Sequence, residues 1–135
     1  MKFEKLEKYM SEREVDFPEI SVENFSLVND KLPVIHSKWL RYYYTEKIKL
    51  SEMKKNIDSL KKKTYEYYKT QYALEVKQSH MEFYINSDDK FSEERLKYLG
   101  QEEVVSFLRE VIDSIKTLGF IIKNHIEWQK FKFGV

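Results

Sequence analysis

The chain has no cysteine, only three glycines and two prolines in 135 residues, and no long apolar run. The missing thiols exclude a disulfide framework, a thiolate nucleophile and a cysteine-held metal, and they are compatible with a reducing compartment. The scarcity of glycine removes any glycine-rich loop that could cradle a phosphate, so nucleotide hydrolysis has no visible apparatus. No stretch approaches the ~20 apolar residues of a membrane span. The first ten residues alternate charges with Phe3, Leu6 and Tyr9 instead of forming the continuous apolar core of a secretory signal. A soluble cytoplasmic protein with no membrane partner is expected.

Catalytic and metal-binding constellations are also lacking. His36, His80 and His125 are far apart and form no metal-ligand spacing. Asp88 and Asp89 beside Ser87 lack the alternating acids and glycine of a calcium loop. Glu93-Glu94 and Glu102-Glu103 are sequence neighbours, which on a helix diverge by about 100 degrees instead of facing each other across a substrate. The expectation is no catalytic residue, no metal, no cofactor, and a protein that is not an enzyme.

What the chain does have is segregated charge. The net charge is +1, yet residues 31–69 hold eleven Lys or Arg against four Asp or Glu, a local balance of +7. Residues 1–30 carry four against eight, and residues 70–135 nine against eleven. A cationic segment between acidic flanks points to an anionic polymer as partner.

Periodicity places those cations. Tyr43, Leu50, Ile57, Thr64 and Gln71 alternate in four-then-three steps with Trp39, Glu46, Met53, Leu60, Tyr67 and Leu74, the signature of a heptad seam. With that seam as a and d, Lys47, Lys54, Lys61 and Tyr68 fall at e, and Arg41, Lys55, Lys62 and Lys69 at f. The cations form a ribbon beside the seam, with Glu52, Asp58 and Glu66 expected across the helix and outside i,i+4 pairing with it. The candidate DNA-binding residues are Lys54, Lys55, Lys61, Lys62, Lys63, Tyr68 and Lys69: lysines for phosphates and one ring to stack on an unpaired base. A lysine-rich outer face on a coiled coil can also do nothing except stay solvated. The aromatic interleaving favours nucleic acid, whereas Glu46, Thr64 and Gln71 in the seam disfavour insertion into lipid.

The chain reads as one mainly α-helical domain over 1–135. A short amphipathic helix is expected over residues 2–14, ending before Asp16-Phe17-Pro18, then a linker to about Leu32. A long basic helix over 33–79 would start with Pro33 in its first turn, where a missing N–H costs nothing. Asn86 to Lys90 is a polar turn, followed by a short helix from Phe91 to Tyr98 capped by Ser92; the two sides of the turn can alternatively pair as a small hairpin. Over 100–132, Val104, Leu108, Val111, Ile115, Leu118 and Ile122 repeat the heptad spacing, with Phe107, Ile112 and Ile126 widening the stripe. These six are the candidate oligomerisation residues, because so wide a stripe needs a partner. Gly119 either kinks that helix or permits close backbone approach.

Three segments carry a family resemblance: His36-Ser37-Lys38-Trp39-Leu40, Leu60 to Tyr68, and Ser114 to Lys123 with its Ile-Lys-Thr-Leu-Gly-Phe-Ile-Ile-Lys run. Together, over roughly residues 35–134, they resemble the UvsY recombination mediators of T-even-type bacteriophages. The resemblance implies a non-enzymatic mediator in an infected bacterial cell. Such a protein binds single-stranded DNA and helps load a RecA-like recombinase onto strands coated by single-strand-binding protein. It also implies a ring-like homo-oligomer, hexameric or heptameric, built through the C-terminal helix. The family's L-K-x-R-L-D-Y-Y motif falls within Leu60 to Tyr68, its lysine on Lys62. Its arginine falls on Thr64, so that role is not carried over. The competing readings are a helical homo-oligomeric scaffold with a solvated basic face, and a helicase-loading accessory factor.

Overall fold

The computed structural model describes residues 3–17 and 19–134; Pro18 and the expected helix start at residue 2 lie outside them. Four α-helices follow in order: α1 (Glu4–Asp16), α2 (Phe25–Glu66), α3 (Met81–Ser87) and α4 (Asp89–Lys132). A π-helical turn over Tyr67–Gln71 extends α2, and a 3-10 turn over Gln78–His80 leads into α3. No strand occurs among the described residues, so the alternative hairpin around residues 86–90 is not formed. Backbone packing divides the chain into two units, Met1–Thr45 with Val104–Val135, and Glu46–Glu103.

In the first unit, the start of α2 packs against the end of α4. Phe25, Val28, Leu32, Trp39 and Tyr43 are buried from one side, and Val104, Leu108, Val111, Ile115 and Ile122 from the other. The Phe25 ring stacks on His125 at 4.8 Å, and Arg109 donates from Nη2 to the Tyr43 hydroxyl at 2.9 Å. This packing explains why α2 opens at Phe25, well before Pro33. A proline inside a helix forfeits a hydrogen bond and costs about 3 kcal/mol, yet the two turns ahead of it bury Phe25, Val28 and Leu32, each of which contributes roughly 1.5–3 kcal/mol. The Asn24 carbonyl accepts the Val28 N–H at 2.9 Å to begin the helix. The Asn24 side chain accepts from Ser21 N at 2.7 Å and donates to the Glu19 carbonyl at 2.8 Å, which fixes the preceding turn.

Helix α1 docks through a polar and aromatic patch. Asp16 Oδ2 accepts from Trp39 Nε1 at 2.9 Å and from Lys38 Nζ at 2.8 Å, while Glu12 accepts from the Tyr42 hydroxyl at 2.9 Å. Tyr9 sits against Tyr42 and Trp39, with ring centroids 5.1 and 6.2 Å away. Burial alone would lower the Lys38 pKa, but hydrogen bonds to Asp16 and Glu12 and their charges outweigh it, and the net shift is upward. Trp39 and Tyr43, read as packing residues, are fully buried and 8% exposed respectively.

In the second unit, α2 continues with Ile57, Leu60, Tyr65 and Tyr68 packed around Met81, Ile85 and Phe91. Gln101 Nε2 donates to the Glu46 carbonyl at 3.0 Å and to Glu46 Oε1 at 3.3 Å, tying α4 to α2 through buried polar groups. The expected run to residue 79 stops at Glu66. The i→i+5 bond from Tyr72 N to Tyr67 O, at 2.9 Å, widens the last turn, and Tyr72 brings its ring to 5.8 Å from Tyr84. Nothing in the local sequence marks this stop, because no glycine or proline stands there; tertiary packing sets it.

Helix α4 begins at Asp89 instead of residue 100 and runs unbroken through Gly100 and Gly119. Its cap is Asp88, not Ser92: Asp88 has extended backbone, and its Oδ1 accepts the Phe91 N–H at 3.0 Å. Gly119 produces no break. A Cβ there would meet Leu32 Cδ1 at 3.9 Å, an ordinary van der Waals separation.

Candidate nucleic-acid interface

The lysine ribbon lies on the second unit's stretch of α2. Between Lys47 and Lys69 eight lysines stand against three acids, over about 33 Å at the helical rise of 1.5 Å per residue. The unit as a whole is balanced, because residues 81–103 carry seven acids against three bases. The positive field is therefore local to α2, on the scale of the Debye length of about 8–10 Å.

The candidate lysines are not equivalent. Lys54 pairs with Asp58 at 2.9 Å, an i,i+4 bridge, which corrects the expectation that the acids lie beyond the ribbon's reach. An i,i+4 step from heptad position e lands on b, only about 40 degrees around the helix. Lys61 reaches α3 and pairs with Glu82 at 3.2 Å. Lys69 places its ammonium 5.5 Å from the Tyr65 ring centroid. Lys55, Lys62 and Lys63 are exposed and make no ion pair among the described residues.

Tyr68 is not a free stacking platform. Its ring packs against the Ile57, Met81, Ile85 and Phe91 cluster and lies 5.1 and 5.6 Å from Tyr72 and Tyr84. Its hydroxyl donates to Asp88 Oδ2 at 2.9 Å, and burial together with that bond pushes its pKa up to about 12. Helix α3 packs on the side of α2 that carries Lys61, Tyr65 and Tyr68, which lie in one stripe at helical spacing. Tyr68 is therefore turned inward, while Tyr67, expected in the core, is 44% exposed. Thr64, where the resemblance would place the family arginine, is buried and bonds back to the Leu60 carbonyl at 2.8 Å. A basic side chain there would have to leave the core of this unit.

The candidate oligomerisation residues are occupied by their own chain. Val104, Leu108, Val111, Ile115 and Ile122 are buried in the first unit, and Leu118 is partly buried. Toward its end α4 exposes other apolar residues, Phe120, Ile121, Trp128 and Phe131, with Trp128 and Phe131 stacked at 5.8 Å. Heptad spacing finds the seam but not this second row. Its signal is a group of large apolar residues outside the a and d positions. No helix among the described residues is long and apolar enough to cross a membrane.

Comparison with known proteins bears on the whole chain. No curated protein sequence matches it. Among solved structures it is similar to the bacteriophage T4 recombination mediator protein UvsY in several crystal lattices. The type II lattice gives a TM-score of 0.83 at 18% identity, covering 98% of both chains. The type IV lattice gives 0.77 at 20%, covering 98% of this chain and 99% of that one. At such identity the likeness establishes the fold. The family profile described as "Recombination, repair and ssDNA binding protein UvsY" matches residues 12–135. That match takes in both units and the entire lysine ribbon, and the chain belongs to the UvsY family.

Proposed function

We propose that this chain is a non-enzymatic recombination mediator: it binds single-stranded DNA and promotes loading of a RecA-like recombinase onto strands coated by single-strand-binding protein. The observation that carries the reading is the ribbon on α2, where Lys55, Lys62 and Lys63 stand exposed without carboxylate partners, the last two within the Leu60 to Tyr68 segment that resembles the family motif. Lysines matched to phosphates release counterions and bind without sequence preference. Lys54, Lys61 and Lys69 add to the path, and the exposed ring of Tyr67 takes the stacking part that Tyr68 cannot.

Residues 1–135 act as one DNA-binding and oligomerisation domain in this reading. Self-association runs through α4, the buried seam from Val104 to Ile122 stiffening the helix and the outer row of Phe120, Trp128 and Phe131 making the interface. A ring of copies would repeat the ribbon and hold one strand at several points, so avidity exceeds that of a single weak site. Bending a strand along such a path strains a competing single-strand-binding protein and presents DNA to the recombinase.

The test is filament assembly. With recombinase and DNA already coated by single-strand-binding protein, adding this chain should shorten the nucleation lag, and a Lys62→Ala, Lys63→Ala variant should not. Equal lags with and without the protein would leave only a DNA-binding scaffold. The scaffold itself fails if labelled single-stranded DNA is not bound in low salt.

A further inference from the structure

A groove of about 460 Å³ lies within the second unit between α2 and the segment entering α3, lined by Asp58, Lys61, Lys62, Tyr65, Gln78, Met81, Glu82 and Ile85. Its size falls in the range of pockets that hold small organic groups. Met81 and Ile85 are 4% and 2% exposed and form a dry floor, while Tyr65 supplies an aromatic wall. Two interactions cross the groove: the Tyr65 hydroxyl donates to Gln78 Oε1 at 3.2 Å, and Lys61 Nζ pairs with Glu82 Oε1 at 3.2 Å. Lys62 lines the rim without an ion pair, and Asp58 on the same rim is already held by Lys54 at 2.9 Å.

We infer that this groove is a nucleotide subsite of the single-stranded DNA path, in which a backbone phosphate takes Lys61 from Glu82 and the adjoining base enters against Tyr65. The inference rests on the single-stranded DNA reading above and adds where one nucleotide sits and what it displaces. Glu82 places an anionic oxygen on Lys61, where a phosphate oxygen would bind in the DNA-bound state. The bridge is cheap to exchange: its side chains are 47% and 66% exposed, and such pairs contribute little in water. The base would meet a ring and an apolar floor on one side and the Gln78 amide, which can donate to a base oxygen or ring nitrogen, on the other. Lys61 combines a carboxylate partner from another helix with a pocket beneath it.

The experiment uses the full chain and a fluorescein-labelled thymidine oligonucleotide, with binding read by anisotropy. Glu82→Gln should bind about two- to fivefold more tightly, the fold-change corresponding to an exposed bridge, with circular dichroism unchanged. In parallel, a 5-iodouracil oligonucleotide irradiated in complex with the wild-type chain should yield adducts in the peptides holding Tyr65 or residues 78–85. Unchanged affinity of Glu82→Gln overturns the exchange of phosphate for carboxylate, and adducts confined to other segments overturn the base subsite. In either case wild-type binding that weakens with salt leaves the single-stranded DNA reading standing. A wild-type chain that binds no oligonucleotide in low salt overturns both.

Discussion

The later half of α2 and the part of α4 from Val104 onward are alike in pattern and opposite in surface. Each buries a heptad-spaced seam in its own unit: Glu46, Ile57 and Thr64 in one, Val104, Leu108, Val111, Ile115 and Ile122 in the other. Outside the seam, α2 shows lysines and α4 shows Phe120, Trp128 and Phe131. The seam determines where a helix packs, and the residues outside it are left to meet a partner, which under the proposed function is a polyanion for α2 and an apolar surface for α4. Helix α4 thus has an inner apolar seam packed within the chain and a second, exposed apolar row outside it.

The strongest way to break this contrast is to place charge on the inner face of α4 and to strip the outer one. Val111 and Ile115 are 1% and 4% exposed, so Val111→Asp with Ile115→Asp buries two unpaired carboxylates. Loss of cooperative melting by circular dichroism is expected, not a clean fall in oligomer mass. Trp128→Ala with Phe131→Ala removes side chains that are 60% and 78% exposed. It should leave the melt nearly unchanged while reducing the mass seen in sedimentation. If the first pair instead yields a folded monomer, the seam is the interface after all.

Next in size is Asp88→Ala, which removes the side-chain cap of α4 and the acceptor of the Tyr68 hydroxyl. A drop of about 1–2 kcal/mol by urea denaturation is expected. The Tyr68 hydroxyl also makes the second unit sensitive to alkali. Its pKa is pushed up to about 12 against about 10 for an unfolded tyrosine. Its contribution is therefore complete below about pH 10 and disappears as pH rises toward 12. Tyr68→Phe should lower stability at pH 8 and flatten the decline between pH 10 and 12; an equal decline in both proteins would assign it to other groups. The smallest effect is Gly119→Ala. With 3.9 Å to Leu32 Cδ1 the methyl fits, so helix propensity should raise stability by about 0.5–1 kcal/mol, read as a higher urea midpoint.

The helical class, both seams and the lysine face were legible because each rests on a period that the sequence repeats many times. Trp39, Tyr43, Ile57 and Leu108 all lie inside as spacing requires. Element ends were less legible. Phe25 begins α2 ahead of Pro33 because its ring finds His125 far along the chain, and α2 ends at a π turn where its tyrosines meet Tyr84. Such long-range packing leaves no local signal, and the packing of α3 on α2 is what brings Tyr68 in and leaves Tyr67 out. Likewise, the pairing of Lys61 with Glu82 joins residues 21 apart, so sequence could nominate the lysines but not grade them.

The grading of those lysines is tested most directly by the salt dependence of single-stranded DNA binding in two matched double variants. Lys62→Ala with Lys63→Ala removes exposed cations without carboxylate partners, whereas Lys47→Ala with Lys54→Ala removes one cation held by Asp58 and one further from the motif. Log affinity against log salt should flatten by about 0.7 for each phosphate that is no longer neutralised, roughly 1.4 per subunit in the first variant and distinctly less in the second, with sedimentation unchanged in both. Equal slopes in the wild-type protein and the Lys62, Lys63 variant, with the oligomer intact, would contradict the claim that this face of α2 holds the strand.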